Sequence, residues 1–364
     1  MSEPSDPSVF ALPRRLRENG ERWLAGEVAE VATPRPAATV MLVRDALDGE
    51  AAGDRADGSA TAGTAAVGGG RGCGCGCGDS LGSDGSGGSG ASGDSGSSSS
   101  TGASDSDSSG PSGESGGSGD VQVWVMRRVA SMAFAPDVTV FPGGGVDLRD
   151  DDPHLPWRGP GPAAWADVLG VSESLARQLV VAAAREVFEE CGLLLAADPD
   201  GRPPEVGAEV GGAVGAEVGG ADWAAARAAL VRRETAFAHV LESRGLALRT
   251  DLLRARARWV TPEFEPRRYD TFFFLARVPS GQQPDGLTSE AQTAGWVRPA
   301  QLLAQHAAGE VTLLPPTIDQ TRRLAAGGGV ARLMAQEPQR PLPRVLPVPV
   351  RRDGDVVLVC EGIS

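Results

Sequence analysis

The chain has 364 residues, with 34 Lys+Arg against 48 Asp+Glu and a formal net charge of −14. That balance argues against a protein that coats nucleic acid or an anionic membrane by charge alone. No apolar run approaches the ~20 residues of a membrane-crossing helix, and because every basic residue is arginine there is no lysine for Schiff-base chemistry or a P-loop.

From the N-terminus, residues 1–20 lack the basic-then-apolar layout of a secretory leader. Cysteine usage is thin: Cys73, Cys75 and Cys77 sit in a glycine tract without zinc-type spacing, and Cys191 and Cys360 are isolated. A reducing, cytoplasmic setting is therefore expected. Residues 38–44 read as a strand. From about Ala46 to Asp120 the chain is Gly, Ser, Ala and Asp with little else, a composition expected to stay disordered. This tract holds eleven acids against two arginines, nine of the fourteen excess negative charges, so the remainder is only mildly acidic. Residues 121–127 alternate as a second strand, and the two runs predict a hairpin with a greatly expanded loop. Further on, Val138–Val140 reads as a strand running into a glycine turn at Gly143–Gly145. Residues 205–220 read as a loop insertion and 223–245 as helical. Strands follow at about 258–261, 270–278 and 294–297, and helices begin near Pro299 and Pro316. The tail, with Asp353-Gly354 between two β-rich runs, predicts a tight hairpin.

Residues 179–195, LVVAAAREVFEECGLLL, carry the chemistry. On a helix at ~100° per residue, Glu189 falls about −60° and Glu190 about +40° from Glu186. Three carboxylates thus share one arc, while Val180, Ala184, Val187, Phe188 and Cys191 share the opposite one. Gly192 is placed to end the helix. Like charges at these spacings repel. Taken alone, the helix suits either a solvated acidic face or a hard divalent cation. A preceding glycine segment, where the backbone can approach a phosphate closely, favours the second reading.

Arg185-Glu186-Val187-Phe188-Glu189-Glu190-Cys191-Gly192-Leu193, with the lead-in Phe141-Pro142-Gly143-Gly144, resembles the Nudix box. Asp150 stands where the box pattern has its first glutamate. The seven-residue spacer of the pattern is here Asp151–Ala184, thirty-four residues. The chain therefore resembles the branch with a long insertion inside the box, the motif-19-type coenzyme A diphosphatases. Residues 132–134, 259–262, 268–273 and 313–317 share that resemblance. It implies an α/β/α sandwich with a mixed sheet and a metal-dependent hydrolase of a diphosphate linkage. Mg²⁺ or Mn²⁺ would be held by Glu186, Glu189 and Glu190. Arg185 would orient a ligating carboxylate, and Glu290 would serve as a further ligand or general base. Gly143, Gly144 and Arg268 would bind substrate. His154, His239 and His306 read as structural or surface residues.

The chain then divides into an N-terminal segment at 1–45, the insertion at 46–120, the main domain at 121–340 with the box insertion at 151–184, and a hairpin-like tail at 341–364. Coenzyme A or an acyl-CoA is the leading substrate, with NADH, ADP-ribose and nucleotide sugars as rivals and a non-catalytic binding module as the alternative of another class. The expected partner is a small diphosphate, not nucleic acid or membrane, and a homodimer stays open.

Overall fold

A computed structural model describes residues 6, 8–12, 14–27, 30–46, 120–129, 137–204, 206, 220–288 and 290–361. The tract from 47 to 119, its three cysteines, residues 132–134 and most of the 205–220 patch lie outside them. In chain order the strands are β1 (Val9–Ala11), β2 (Arg35–Asp45), β3 (Val121–Arg128), β4 (Thr139–Val140), β5 (Gly143–Gly145), β6 (Trp157–Arg158), β7 (Ala196–Ala197), β8 (Ala247–Arg249), β9 (Leu253–Val260), β10 (Tyr269–Arg277), β11 (Ala291–Val297), β12 (Arg344–Val345), β13 (Val348–Arg352) and β14 (Asp355–Val359). The helices are α1 (Arg14–Leu24), α2 (Pro162–Leu169), α3 (Glu173–Cys191), α4 (Gly220–Val231), α5 (Phe237–Glu242), α6 (Pro299–Ala307), α7 (Pro315–Ala326) and α8 (Val330–Ala335).

The principal sheet runs β11-β3-β2-β10-β9-β12, with β4 on β3 and β5 on β2. It is mixed, because β10 is parallel to β2 and antiparallel to β9. Alternation along the strands sends side chains to two faces, and each face has its own core. Val40 and Leu42 of β2, with Phe272 and Phe274 of β10, pack under α3, α2 and α5. Met41 and Val43, with Phe273 and Leu275, pack with residues of α6, α7, α8 and the β14 strand. The chain is therefore an α/β/α sandwich. Among the described residues no helix is long and apolar enough to cross a membrane.

The expanded hairpin forms. Val43, Arg44 and Asp45 pair with Val123, Gln122 and Val121, and Ala46 N donates to Asp120 O at 2.7 Å. The tail hairpin also forms, its turn made by left-handed Asp353 (φ 51°) and Gly354 (φ 86°). Its outer partner is β1, from the other end of the chain. The segment expected to be one helix over 223–245 is two, α4 and α5, parted at 232–236.

The glycine segment departs from its reading as a turn. Gly143, Gly144 and Gly145 pair with Thr39, Ala38 and Ala37 as a short antiparallel strand. A Cβ on Gly143 would lie 2.4 Å from Ala38 O and 2.7 Å from Thr39 Cα, so the strand closes on β2 only without a side chain there.

Candidate active site around the α3 carboxylates

Helix α3 starts on Ser172, whose hydroxyl accepts from Leu175 N, and stops at Gly192 in the left-handed conformation, φ 69°. Its apolar arc meets the sheet as the sequence pattern dictates. The opposite arc is not open to solvent, because β5 lies beside it. Glu186 and Glu190 are 8% and 4% exposed. Gly143 N donates to Glu190 Oε2 at 2.7 Å. A Cβ on Gly144 would fall 2.5 Å from Glu186 Oε1, so that glycine makes room for the carboxylate. Gly145 O accepts from Arg185 Nη2 at 2.9 Å. Three successive glycines thus each meet one residue of the box helix.

Arg185 is the organising cation. Its Nε and Nη2 donate to the two oxygens of Asp150 at 3.0 and 3.1 Å, a bidentate pair. Its Nη1 donates to Glu186 Oε1 at 2.7 Å and to Glu189 Oε1 at 3.2 Å. Asp150 is 1% exposed and also accepts from Asp147 N at 2.9 Å. Asp147 returns the bond by accepting from Arg149 N, so a reciprocal cap fixes the short 3₁₀ turn that carries Asp150.

The long box insertion leaves this arrangement intact because its ends lie side by side. Asp151 accepts from Ser174 Oγ, Arg177 Nη1 and Gln178 Nε2 in the first turns of α3. The insertion's last dozen residues are themselves the start of α3. Its other helix, α2, is core: Trp165 is buried edge-on to Phe274 at 5.8 Å, beside Val168 and Leu169. Leu342 N donates to Val168 O, tying α2 to the start of the tail.

Three carboxylates share one guanidinium and a fourth, Glu190, lies beyond its reach, so their ionisation is correspondingly hard. Burial pushes Glu186 up to about 7, against the pull of Arg185 and with added repulsion from Glu189 and Glu290. Burial, then the Glu186 charge, raises Glu190 well above the ordinary range, although Gly143 N–H opposes this. Glu189 and Asp150 are also raised, each chiefly by burial. Burial alone would lower Arg185, but Glu186 and Asp150 hold it firmly protonated.

Each box glutamate engages one oxygen in the described hydrogen bonds and keeps the other outside them. Among the described residues no three acidic, His or Cys side chains converge as a formed metal cage. Arg185 instead lies between Glu186 and Glu189. The donor set still fits a hard divalent cation: it is all oxygen, carries excess negative charge and sits at one end of a rigid helix.

Glu290 lies at the start of β11, half-exposed, with Oε2 3.9 Å from Arg128 Nη2. It joins the site electrostatically, since it adds to the upward shift of all three box glutamates. The residues read as substrate-binding are engaged elsewhere. Gly143 N is taken by Glu190, and the close approach that the glycines allow is made by carboxylates. Arg268 is buried and donates to Thr261 O and Ala32 O, at 3.0 and 2.8 Å. His306 Nδ1 lies 3.1 Å from Val311 O, a main-chain contact.

No family model matches the chain. A Caenorhabditis elegans protein named as nudix hydrolase 7 is 26% identical over 204 residues, which is 56% of this chain. The match spans a little over half of that relative, 56% of its length. Among solved structures, a NUDIX hydrolase from Alicyclobacillus acidocaldarius superposes with a TM-score of 0.53 at 22% identity, covering 85% of this chain and 98% of the other. At that identity the likeness is one of fold.

Proposed function

We propose that this chain, a member of the Nudix superfamily, hydrolyses the diphosphate linkage of a nucleoside diphosphate-linked substrate, with coenzyme A or an acyl-CoA placed first. The observation that supports the reading is the nest itself. Across a thirty-four-residue interruption, Asp150, Glu186 and Glu189 converge on Arg185, and Arg185, Glu186 and Glu190 meet a side-chain-free strand. Three buried or part-buried carboxylates on one arginine, with a fourth beside them, is poor design for stability alone. It is suited to charge that a ligand brings.

Glu186, Glu189 and Glu190 would hold Mg²⁺ or Mn²⁺. Once bound, such an ion neutralises diphosphate charge and lowers the pKa of its water. The chain's own residues do the rest. Arg185 fixes Glu186 and Glu189 and is itself fixed by Asp150, so its orientation does not depend on substrate. Gly143 N–H holds Glu190 at a set angle. Glu290, on a loop end and open to solvent, takes the proton from the attacking water. Coenzyme A is favoured over NADH, ADP-ribose and nucleotide sugars by the long box insertion, the feature this chain shares with the coenzyme A diphosphatase branch.

A panel of coenzyme A, acyl-CoA, NADH, ADP-ribose and a nucleotide sugar, assayed with Mg²⁺ and with EDTA, tests this. Metal-dependent cleavage of coenzyme A is expected, and cleavage of another member only would move the substrate. No cleavage of any member, with binding retained, would make the chain a non-catalytic module.

A further inference from the structure

Outside the nest, one half-buried cation bonds both the box helix and the segment that leads to Glu290. Arg227 of α4 donates from Nε to Glu189 O at 2.9 Å, from Nη1 to Asp285 Oδ2 at 2.6 Å and from Nη2 to Leu287 O at 2.9 Å. Its side chain and that of Asp285 are each 13% exposed. One guanidinium therefore joins the last turn of the box helix to two points on the segment between β10 and β11.

The same segment is pinned twice more to the end of α3. Asp285 N donates to Cys191 O at 3.1 Å. Gln282, 3% exposed, accepts from Leu194 N at 2.8 Å and donates to Leu194 O and Pro204 O. Gly192 serves this junction as well as the helix stop. A Cβ there would stand 2.6 Å from Asp285 Oδ2 and 3.1 Å from Arg227 Nη1. Three residues past Leu287 the segment reaches Glu290.

The structure assigns Arg227 as a positioning residue that holds the Glu290 segment in register with the box helix, so that the base and the helix carboxylates address the same diphosphate. This rests on the diphosphatase reading above and extends it to a residue far from the box in sequence. Arg227 touches no box carboxylate, only the main-chain carbonyl of Glu189, so its effect on turnover must pass through the segment it holds. Misplacing a reacting group by an ångström costs about a hundredfold in rate.

The test is a double-mutant cycle with the full chain, Arg227→Gln against Glu290→Gln, in Mg²⁺-supported turnover of coenzyme A. Arg227→Gln should lower kcat by about a hundredfold and leave KM within about threefold. It should add nothing to the loss in Glu290→Gln, because the group being positioned is already gone. Losses that multiply, or an unchanged kcat, would overturn the assignment. If Arg227→Gln fails to fold, Asp285→Asn breaks the same ion pair and should behave in the same way. Hydrogen exchange separates this from a failure of the enzymatic reading. Should the parent turn over no diphosphate, the diphosphatase reading fails. The clamp is then judged by the amides of Asp285 and Leu287: faster exchange in the variant supports it, and parental rates overturn it.

Discussion

Replacing Asp150 by alanine tests the hub of the site without touching a metal-ligand candidate. The pair it forms with Arg185 is bidentate, at 3.0 and 3.1 Å, with side chains 1% and 12% exposed. Breaking a buried pair by removing one partner costs about 3–5 kcal/mol, because the remaining charge is left without compensation. Arg185 would keep Glu186, Glu189 and Gly145 O, which places the loss at the lower end, about 3 kcal/mol. Losing the reciprocal cap on Asp147 adds to it. For a domain of this size that corresponds to a melting temperature lower by roughly 6–12 °C. Turnover should fall as well, since Arg185 would lose the bidentate anchor that fixes how it orients Glu186 and Glu189. Thermal unfolding with EDTA present, alongside steady-state kinetics with Mg²⁺, reads both effects. A variant melting within 2 °C of the parent, about 0.5–1 kcal/mol, would refute the claim that this pair organises the nest.

Gly144→Ala should be folded but poorly active, because the new Cβ, 2.5 Å from Glu186 Oε1, must displace that carboxylate; parental kcat would show the glutamate has no fixed place. Stability of the metal-free protein should fall as pH rises from about 4.5 to about 7. Glu186 sits at about 7 when folded against its ordinary 4.5, so the neutral form favours folding; that contribution is complete below 4.5 and lost as the group ionises. Melting temperatures at pH 5.5 and 7.5 in EDTA check this, and a rise across that interval contradicts it. Replacing residues 47–119 by a short Gly-Ser turn should preserve both fold and turnover, since Ala46 and Asp120 are already hydrogen-bonded at 2.7 Å; a folded but inactive product would give the tract a role in the reaction.

Periodicity made the two hairpins readable, because a period-2 pattern and an Asp-Gly turn leave little freedom of register. The second half of the box helix was readable for a similar reason, its apolar arc and its glycine stop agreeing, whereas its start on Ser172 lies inside the box insertion and was not read. The glycine strand was not, since three residues without side chains carry no alternation, and its pairing with β2 depends on backbone fit alone. The same blindness turned glycines expected to approach a phosphate into glycines that approach carboxylates. Asp150 was visible as a position in the box pattern, yet its burial against Arg185 follows from the insertion folding its two ends together through Asp151, which spacing along the chain does not encode. Strand β1 and helix α8 are short, and only their tertiary partners give them away. Arg227, Gln282 and Asp285 share no local pattern with the box. A basic residue on an alanine-rich helix and two polar residues in a loop become one clamp only when the chain is folded.

On the proposed function, the carboxylates of α3 hold a divalent cation for diphosphate cleavage. Turnover of coenzyme A by the parent and by Glu189→Gln, each in saturating Mg²⁺ and in EDTA, addresses it most directly. Parental turnover that EDTA stops is expected, with a variant that melts like the parent but loses more than about a hundredfold in kcat, the scale of several kcal/mol of charge stabilisation. A variant within a few-fold of the parent, or turnover that survives thorough chelation, would contradict it.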